Sequence, residues 1–162
     1  MNVPGIVLRQ MTAADLDQVV ELERAVFSEE AWTWQMLTGE LEQQPASRYY
    51  LVAEDHGQIA GYAGLLGAGR QGDVLTLAVA ASRRGHGIGS ALLEALLAEA
   101  VRRGCTDVFL EVRTDNSRAQ QLYRRHEFTE IGIRRGYYQP SGADALVMRR
   151  NLTRPRDEGE RR

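Results

Sequence analysis

Hydrophobic positions alternate between two periods along this chain, and the alternation predicts strands and helices in turn. Ile6 to Arg9 reads as a short first strand. Thr12 and Asp15 are spaced as a capping box, and Leu16, Val19, Val20 and Leu22 carry a helix to about Phe27. Ser28 to Ala31 reads as a loop. A second helix follows from Thr33 to about Gln43, with Trp34, Leu37 and Leu41 at helical spacing, and Pro45 ends it. Tyr49–Glu54 and Ile59–Leu66 are β-rich runs separated by the turn Asp55-His56-Gly57. Gly67 to Gly72 reads as another turn, before a strand at 74–79.

The clearest helix spans Gly87 to Arg103. Leu92, Leu96 and Ala100 form one stripe, with Leu93, Leu97 and Val101 beside it. Gly104 suits the left-handed position after its end. A strand at 107–113, a helix from Asn116 to about His126, and strands at 129–134 and 145–149 complete the pattern. The alternation predicts one mixed α/β domain over 1–152, with a charged, apolar-poor tail at 153–162.

Composition narrows the chemistry. The 162 residues carry 20 basic and 22 acidic side chains, a net charge of −2. A near-neutral chain argues against dominant nucleic-acid binding, and no run of apolar residues is long enough for a membrane span. Every basic residue is arginine. That excludes a Schiff-base lysine and a P-loop lysine. One cysteine and three scattered histidines form no recognisable metal site, so no metal is expected. The first residues lack a basic and apolar leader pattern, and the expected location is the cytoplasm.

One segment stands out. Arg83-Arg84-Gly85-His86-Gly87-Ile88-Gly89-Ser90 follows a strand and opens the best helix. Three glycines in five residues leave backbone N–H groups open, and a helix N-terminus adds positive potential. These are the parts of a pyrophosphate cradle. A Rossmann fingerprint fits less well, because Ser90 stands at the third glycine position.

Arg84-x-x-Gly87-x-Gly89 at a strand-to-helix junction resembles the acetyl-CoA signature of the GNAT superfamily of N-acetyltransferases. Leu110-Glu111-Val112-Arg113, then Asn116, Ala119 and Leu122-Tyr123, are similar to its RimI branch, the ribosomal-protein-alanine acetyltransferases. The resemblance implies a splayed, mostly antiparallel central sheet flanked by helices. It implies that the backbone of Leu77, Ala78 and Val79 binds pantetheine, with the Val79 N–H as oxyanion donor. The cradle from Arg84 through Gly85, His86, Gly87, Ile88 and Gly89 to Ser90 would hold the pyrophosphate of acetyl-CoA, and Asn116 would contact the cofactor. The acceptor implied is the N-terminal amine of a ribosomal protein; the alternatives are a related enzyme acetylating a small-molecule amine or a protein lysine, and a non-catalytic acyl-CoA-binding module. Tyr137 and Tyr138 would shape its groove. Two departures from the branch pattern stand here: Gln139 separates Tyr138 from Pro140, and the 27–32 segment lacks a proline-tryptophan-serine step.

Amide formation from an amine and a thioester needs a base, an oxyanion donor and an acid. Glu111, a carboxylate within the apolar run 108–112, is the candidate base; it could equally be a solvent-facing carboxylate or one paired with Arg113. Tyr123 is the candidate acid, seven residues from Asn116 and therefore on the same helical face. Its spacing also suits a core tyrosine. Asn116 suits an N-cap as well as a cofactor contact. Glu29, Glu30 and Glu40 could attract a basic peptide or form a solvated face. Cys105 reads as a small apolar residue.

Overall fold

The structure, a computed structural model, describes residues 3–153. The tail predicted at 153–162 lies outside these residues except for Thr153. Seven strands form one sheet: β1 (Ile6–Gln10), β2 (Arg48–Asp55), β3 (Gln58–Ala68), β4 (Gln71–Val79), β5 (Asp107–Arg113), β6 (Thr129–Arg134) and β7 (Ala145–Asn151). Their order is β1-β2-β3-β4-β5-β7-β6, antiparallel except for β4 beside β5. Four helices flank the sheet: α1 (Leu16–Phe27), α2 (Trp34–Glu42), α3 (Ile88–Arg102) and α4 (Ser117–Arg125).

The capping pair does its expected work one turn early. The Thr12 N–H donates to the Asp15 carboxylate at 2.8 Å, opening a short 3₁₀ turn (Ala13–Asp15) that leads into α1. Arg9 grips the same carboxylate through two bonds of 2.8 Å and holds it below the usual range. The β2–β3 hairpin turns on His56 and Gly57, both at positive φ. The β3–β4 hairpin is tighter than its sequence suggests. Ladder pairing continues through Gly67↔Gly72 and Ala68↔Gln71, so only Gly69 and Arg70 make the turn. Ser28–Glu30 is a 3₁₀ turn rather than an open loop.

Each face of the sheet has its own core. α3 and α4 cover one face with Leu92, Leu93, Leu96, Leu97 and Tyr123. α1 and α2 cover the other with Leu16, Val19, Val20 and Leu37, against Tyr50 and Tyr62. Each fully buried leucine contributes about 1.5–3 kcal/mol of hydrophobic stabilisation. Val101 departs from its expected stripe and is 59% exposed. Each four-residue step advances about 40° around a helix, so the stripe Leu93–Leu97–Val101 has rotated off the sheet by its last member.

Tyr50 depends on an absent side chain. It stands directly opposite Gly64 in the β2–β3 ladder, and its ring fills the space a Cβ there would need. Its hydroxyl then donates to Glu40 at 2.7 Å, and Arg48 donates to the same carboxylate oxygen at 2.8 Å. Glu40 is thus engaged inside the fold rather than free for a peptide. Replacing Gly64→Ala should displace the Tyr50 ring and cost about 1–3 kcal/mol. Urea unfolding checks this, and an unchanged midpoint would show that the ring moves freely.

Candidate active site

β4 and β5 pair in parallel only at Gln71↔Asp107, Gly72↔Val108 and Asp73↔Phe109. Beyond Asp73 they part. A bulge lies at the point of parting: Gly64 pairs with Thr76 and Leu65 with Val74, leaving Leu75 as the extra residue of β4. An extra residue bends its strand and strengthens the local twist. The free edge of β4 therefore opens into a V.

Which groups face that opening follows from the ladder. The Ala80 N–H donates to Ala60 at 2.8 Å, back toward β3. Residues of an antiparallel pair alternate in direction, so the backbone groups of Leu77 and Val79 point to the open side. Ala78 borders the cleft but gives its backbone to β3.

Two cavities adjoin along the V and share Val26, Phe27, Leu77, Arg84, Asn116 and Ala119 as walls. The second, about 460 Å³, lies against the glycine loop and is bordered by Gly85, Gly87, Ile88, Gly89 and Ser90. Gly85 and Gly87 adopt φ of 83° and 86°, a conformation that disfavours any side chain, and Gly87 caps the 15-residue α3. Leu122 lies 3.3 Å from where a Cβ on Gly89 would sit. The Ser90 Oγ is 3.1 Å from His126 Nε2, which joins the start of α3 to the end of α4. His86 is exposed and borders neither cavity.

Sequence reasoning missed two cations here. Arg118 and Arg125 border the same cavity, seven residues apart on α4. With Arg84 they supply three guanidinium groups that form no ion pair among the described residues. The seven-residue spacing was the available signal. Arg83, by contrast, is paired with Asp55.

The first cavity, about 550 Å³, is lined by Glu111, Tyr123 and Tyr138, and on its far side by Glu23, Glu29, Glu30 and Trp32. Val108, Leu110 and Val112 form the buried face of β5, and alternation sends Glu111 to the opposite face with Phe109 and Arg113. Its cation is Arg134, at 3.6 Å from the next strand, rather than Arg113. The Tyr137 hydroxyl donates to Glu111 at 3.4 Å. Tyr137 stands 42% exposed, edge-on to Tyr138 at 5.0 Å, and only Tyr138 lines the cavity. Arg113 instead donates to Glu30 at 2.6 Å and to Asp115 at 3.0 Å.

Asn116 is the N-cap of α4, its Oδ1 accepting from the Ala119 N–H at 3.1 Å, and it borders both cavities. The cap leaves its amide N–H₂ free. Tyr123 is buried against Phe128, and burial pushes its phenol up to about 12. Its hydroxyl has no hydrogen-bond partner among the described residues. The Tyr123 phenol thus keeps its proton through neutral pH. Cys105 is buried at the foot of β5, and burial pushes its thiol up as well.

An open strand edge beside a glycine-rich helix N-terminus fits an acyl-group transferase that takes a nucleotide-bearing thioester. The acetyltransferase (GNAT) family model matches residues 16–128. The N-alpha-acetyltransferase RimI of Mycobacterium tuberculosis is 38% identical over 155 residues, covering 93% of this chain and 95% of its own. The crystal structure of the ribosomal-protein-S18-alanine N-acetyltransferase from Escherichia coli superposes with a TM-score of 0.81 at 25% identity, covering 94% of this chain and 97% of its own. The structure of the NatC complex bound to Gag peptide and CoA has a TM-score of 0.79 at 25% identity, covering 91% of this chain and 98% of the matched chain.

The chain belongs to the GNAT acetyltransferase family, within its RimI branch. It is an acetyl-CoA-dependent acyltransferase. No helix of the described residues is long and apolar enough to cross a membrane.

Because burial of Tyr123 raises its phenol, a difference absorbance titration of wild type against Tyr123→Phe should show this phenol still protonated above about pH 10. A difference transition centred near 10 would place the hydroxyl in water.

Proposed function

We propose that this protein transfers the acetyl group of acetyl-CoA to the N-terminal α-amine of a protein, with the N-terminal alanine of a small-subunit ribosomal protein as acceptor. The observation that carries this reading is the V itself. It sets an unpaired strand edge beside the glycine cradle and opens directly onto the cavity of Glu111 and Tyr123. Two of the proteins named above are an N-alpha-acetyltransferase and a ribosomal-protein-S18-alanine N-acetyltransferase, which supports the acceptor class. Such an acceptor is met in the cytoplasm.

The residues present fit the cofactor. Pantetheine amides would pair with the free backbone groups of Leu77 and Val79 as an added strand. The N–H groups from Gly85 to Ser90 would bind the pyrophosphate, with Arg84, Arg118 and Arg125 supplying positive charge. Asn116 would donate its free amide hydrogen to the cofactor.

In the transfer, the acceptor nitrogen attacks the thioester carbonyl while Glu111 takes its proton. The Val79 N–H receives the developing oxyanion. The carbon–sulfur bond then breaks, and Tyr123 gives its proton to the departing thiolate; exchange with solvent afterwards deprotonates Glu111 and reprotonates Tyr123. This is direct transfer in a ternary complex. The raised Cys105 thiol, remote from the V, takes no part.

An α-amine has a pKa near 8 against about 10.4 for a lysine side chain, so about a tenth is already neutral at pH 7. A modest base is sufficient for that acceptor. The buried Glu30 Oε2, on the wall of the same cavity, has no hydrogen-bond partner within the described residues. An acceptor ammonium or peptide N–H would satisfy it.

The direct test is acetyl transfer to a peptide with a free N-terminal alanine, against the same peptide with a blocked α-amine and an internal lysine. Product on the free terminus alone is expected; product on lysine alone would replace this acceptor class. Glu111→Gln should lower kcat by about 10²–10⁴ with acetyl-CoA affinity retained. A wild-type rate would remove Glu111 as base. Gly87→Asp should abolish acetyl-CoA binding in calorimetry, because a side chain opposes φ of 86° and the carboxylate repels phosphate. Retained affinity would mean that the cradle holds something else.

A further inference from the structure

α1 carries one carboxylate deep into the interior, and the reaction steps above leave it unused. Glu23 is 1% exposed. Its Oε1 accepts from the Tyr62 hydroxyl at 2.5 Å and the Thr76 hydroxyl at 3.2 Å. Its Oε2 accepts from the Trp32 backbone N–H at 2.7 Å. Among the described residues it has no ion-pair partner, and burial pushes its carboxyl up. A leucine would fill such a position without that desolvation cost, so the carboxylate serves its three donors rather than the core.

The donors come from three separate elements. Tyr62 lies on β3, Thr76 on β4, and Trp32 in the connection between α1 and α2. The Leu75 bulge makes the second contact available. In an unbroken strand Thr76 would share the face of Val74, whereas the extra residue turns it toward α1. The next residue of β4, Leu77, begins the open edge proposed to bind the cofactor. Trp32 belongs to the wall on the other side of the cavity. Glu23 is therefore the side chain that ties this wall to the cofactor strand.

The wall has few bonds of its own. Between Ser28 and Ala31 one backbone bond of 3.1 Å closes the 3₁₀ turn. Beyond it, Glu30 is held by Arg113 and by the Ser141 hydroxyl at 2.5 Å, which fixes one end to β5 and to the β6–β7 connection. The Glu23–Trp32 bond fixes the other end.

We infer that Glu23 is a positioning residue that holds the 28–32 wall at a set distance from β4, so that the acceptor terminus meets the acetyl carbonyl. This rests on the acetyl-transfer reading given above. Glu23 reaches the chemistry through Trp32 and Thr76, so its loss should alter acceptor handling and leave the cofactor site intact.

The test compares Glu23→Leu and Glu23→Gln with wild type. Leucine fills the space and leaves the Tyr62 hydroxyl and the Trp32 N–H without an acceptor, and Thr76 with only the Tyr62 oxygen at 3.5 Å. It should raise the KM for the acceptor peptide about tenfold or more, with the KM for acetyl-CoA within about twofold. Glutamine keeps an oxygen for Trp32 and turns its N–H₂ toward the two hydroxyl oxygens, so it should recover most of the loss. An unchanged acceptor KM in Glu23→Leu overturns the inference, as does an equal rise in both KM values. If the leucine variant does not fold, Tyr62→Phe combined with Thr76→Val removes the sheet side of the same link, under the same two criteria.

Hydrogen exchange supplies a readout that needs no acceptor. Glu23→Leu should speed exchange in the 28–33 segment and leave 85–100 unchanged, and equal protection in both proteins overturns the inference. A wild type that acetylates no N-terminus sinks the proposed function instead, and the exchange arm still decides the role of Glu23.

Discussion

Three parallel residue pairs hold β4 to β5, and the pairing stops there. Everything on the functional side of the molecule follows from that stop. A continuous ladder would use the β4 edge for β5 and leave no unpaired backbone for a ligand. The extra residue at Leu75 bends β4 just beyond the last pair. The same bend gives the strand its ligand-facing edge, exposes Leu77 and Val79, and turns Thr76 toward α1. One local irregularity thus sets both the cofactor cleft and the contact that fixes its opposite wall.

Around that opening the electrostatics divide cleanly. The end of the V near the glycine loop gathers arginines that form no ion pair among the described residues, beside a helix N-terminus, an arrangement that favours phosphate. The other end holds carboxylates, each managed differently. Glu111 has Arg134 nearby, Glu30 has Arg113 and Ser141, and Glu23 has only neutral donors. Tyr123 sits between the two ends, protonated and, among the described residues, without a partner for its hydroxyl. A thioester lying along β4 would bridge from the basic end to the acidic one.

Much of this was legible in one dimension. The strand and helix periods located every strand and α-helix but not the 3₁₀ turns, and the glycine loop was recognisable from its strand-to-helix context. Glu111 and Tyr123 do line one cavity. Long-range partners were harder to see. The Glu111 cation was sought on its own strand, yet it comes from β6, because Arg113, though on the same face, is taken up by Glu30 and Asp115. The role of Glu23 has no local signal, since nothing within α1 shows that Tyr62, Thr76 and Trp32 converge on it. The His86 side chain, though within the motif, borders neither cavity, and Glu40 proved to be held by Tyr50 and Arg48.

The sequence by itself determined what depends on neighbours a few residues away. That includes the element order, the caps at Thr12 and Asn116, the positive-φ glycines and the residue types a thioester-dependent transfer requires. Tertiary structure decided what depends on contacts between distant segments. The length of the β4–β5 pairing, the bulge that ends it, the partner of each carboxylate and the exposure of Val101 all belong to that class. The reason is physical: periodicity and turn chemistry are local, whereas splay, burial and ion pairing are fixed only when separate strands and helices pack.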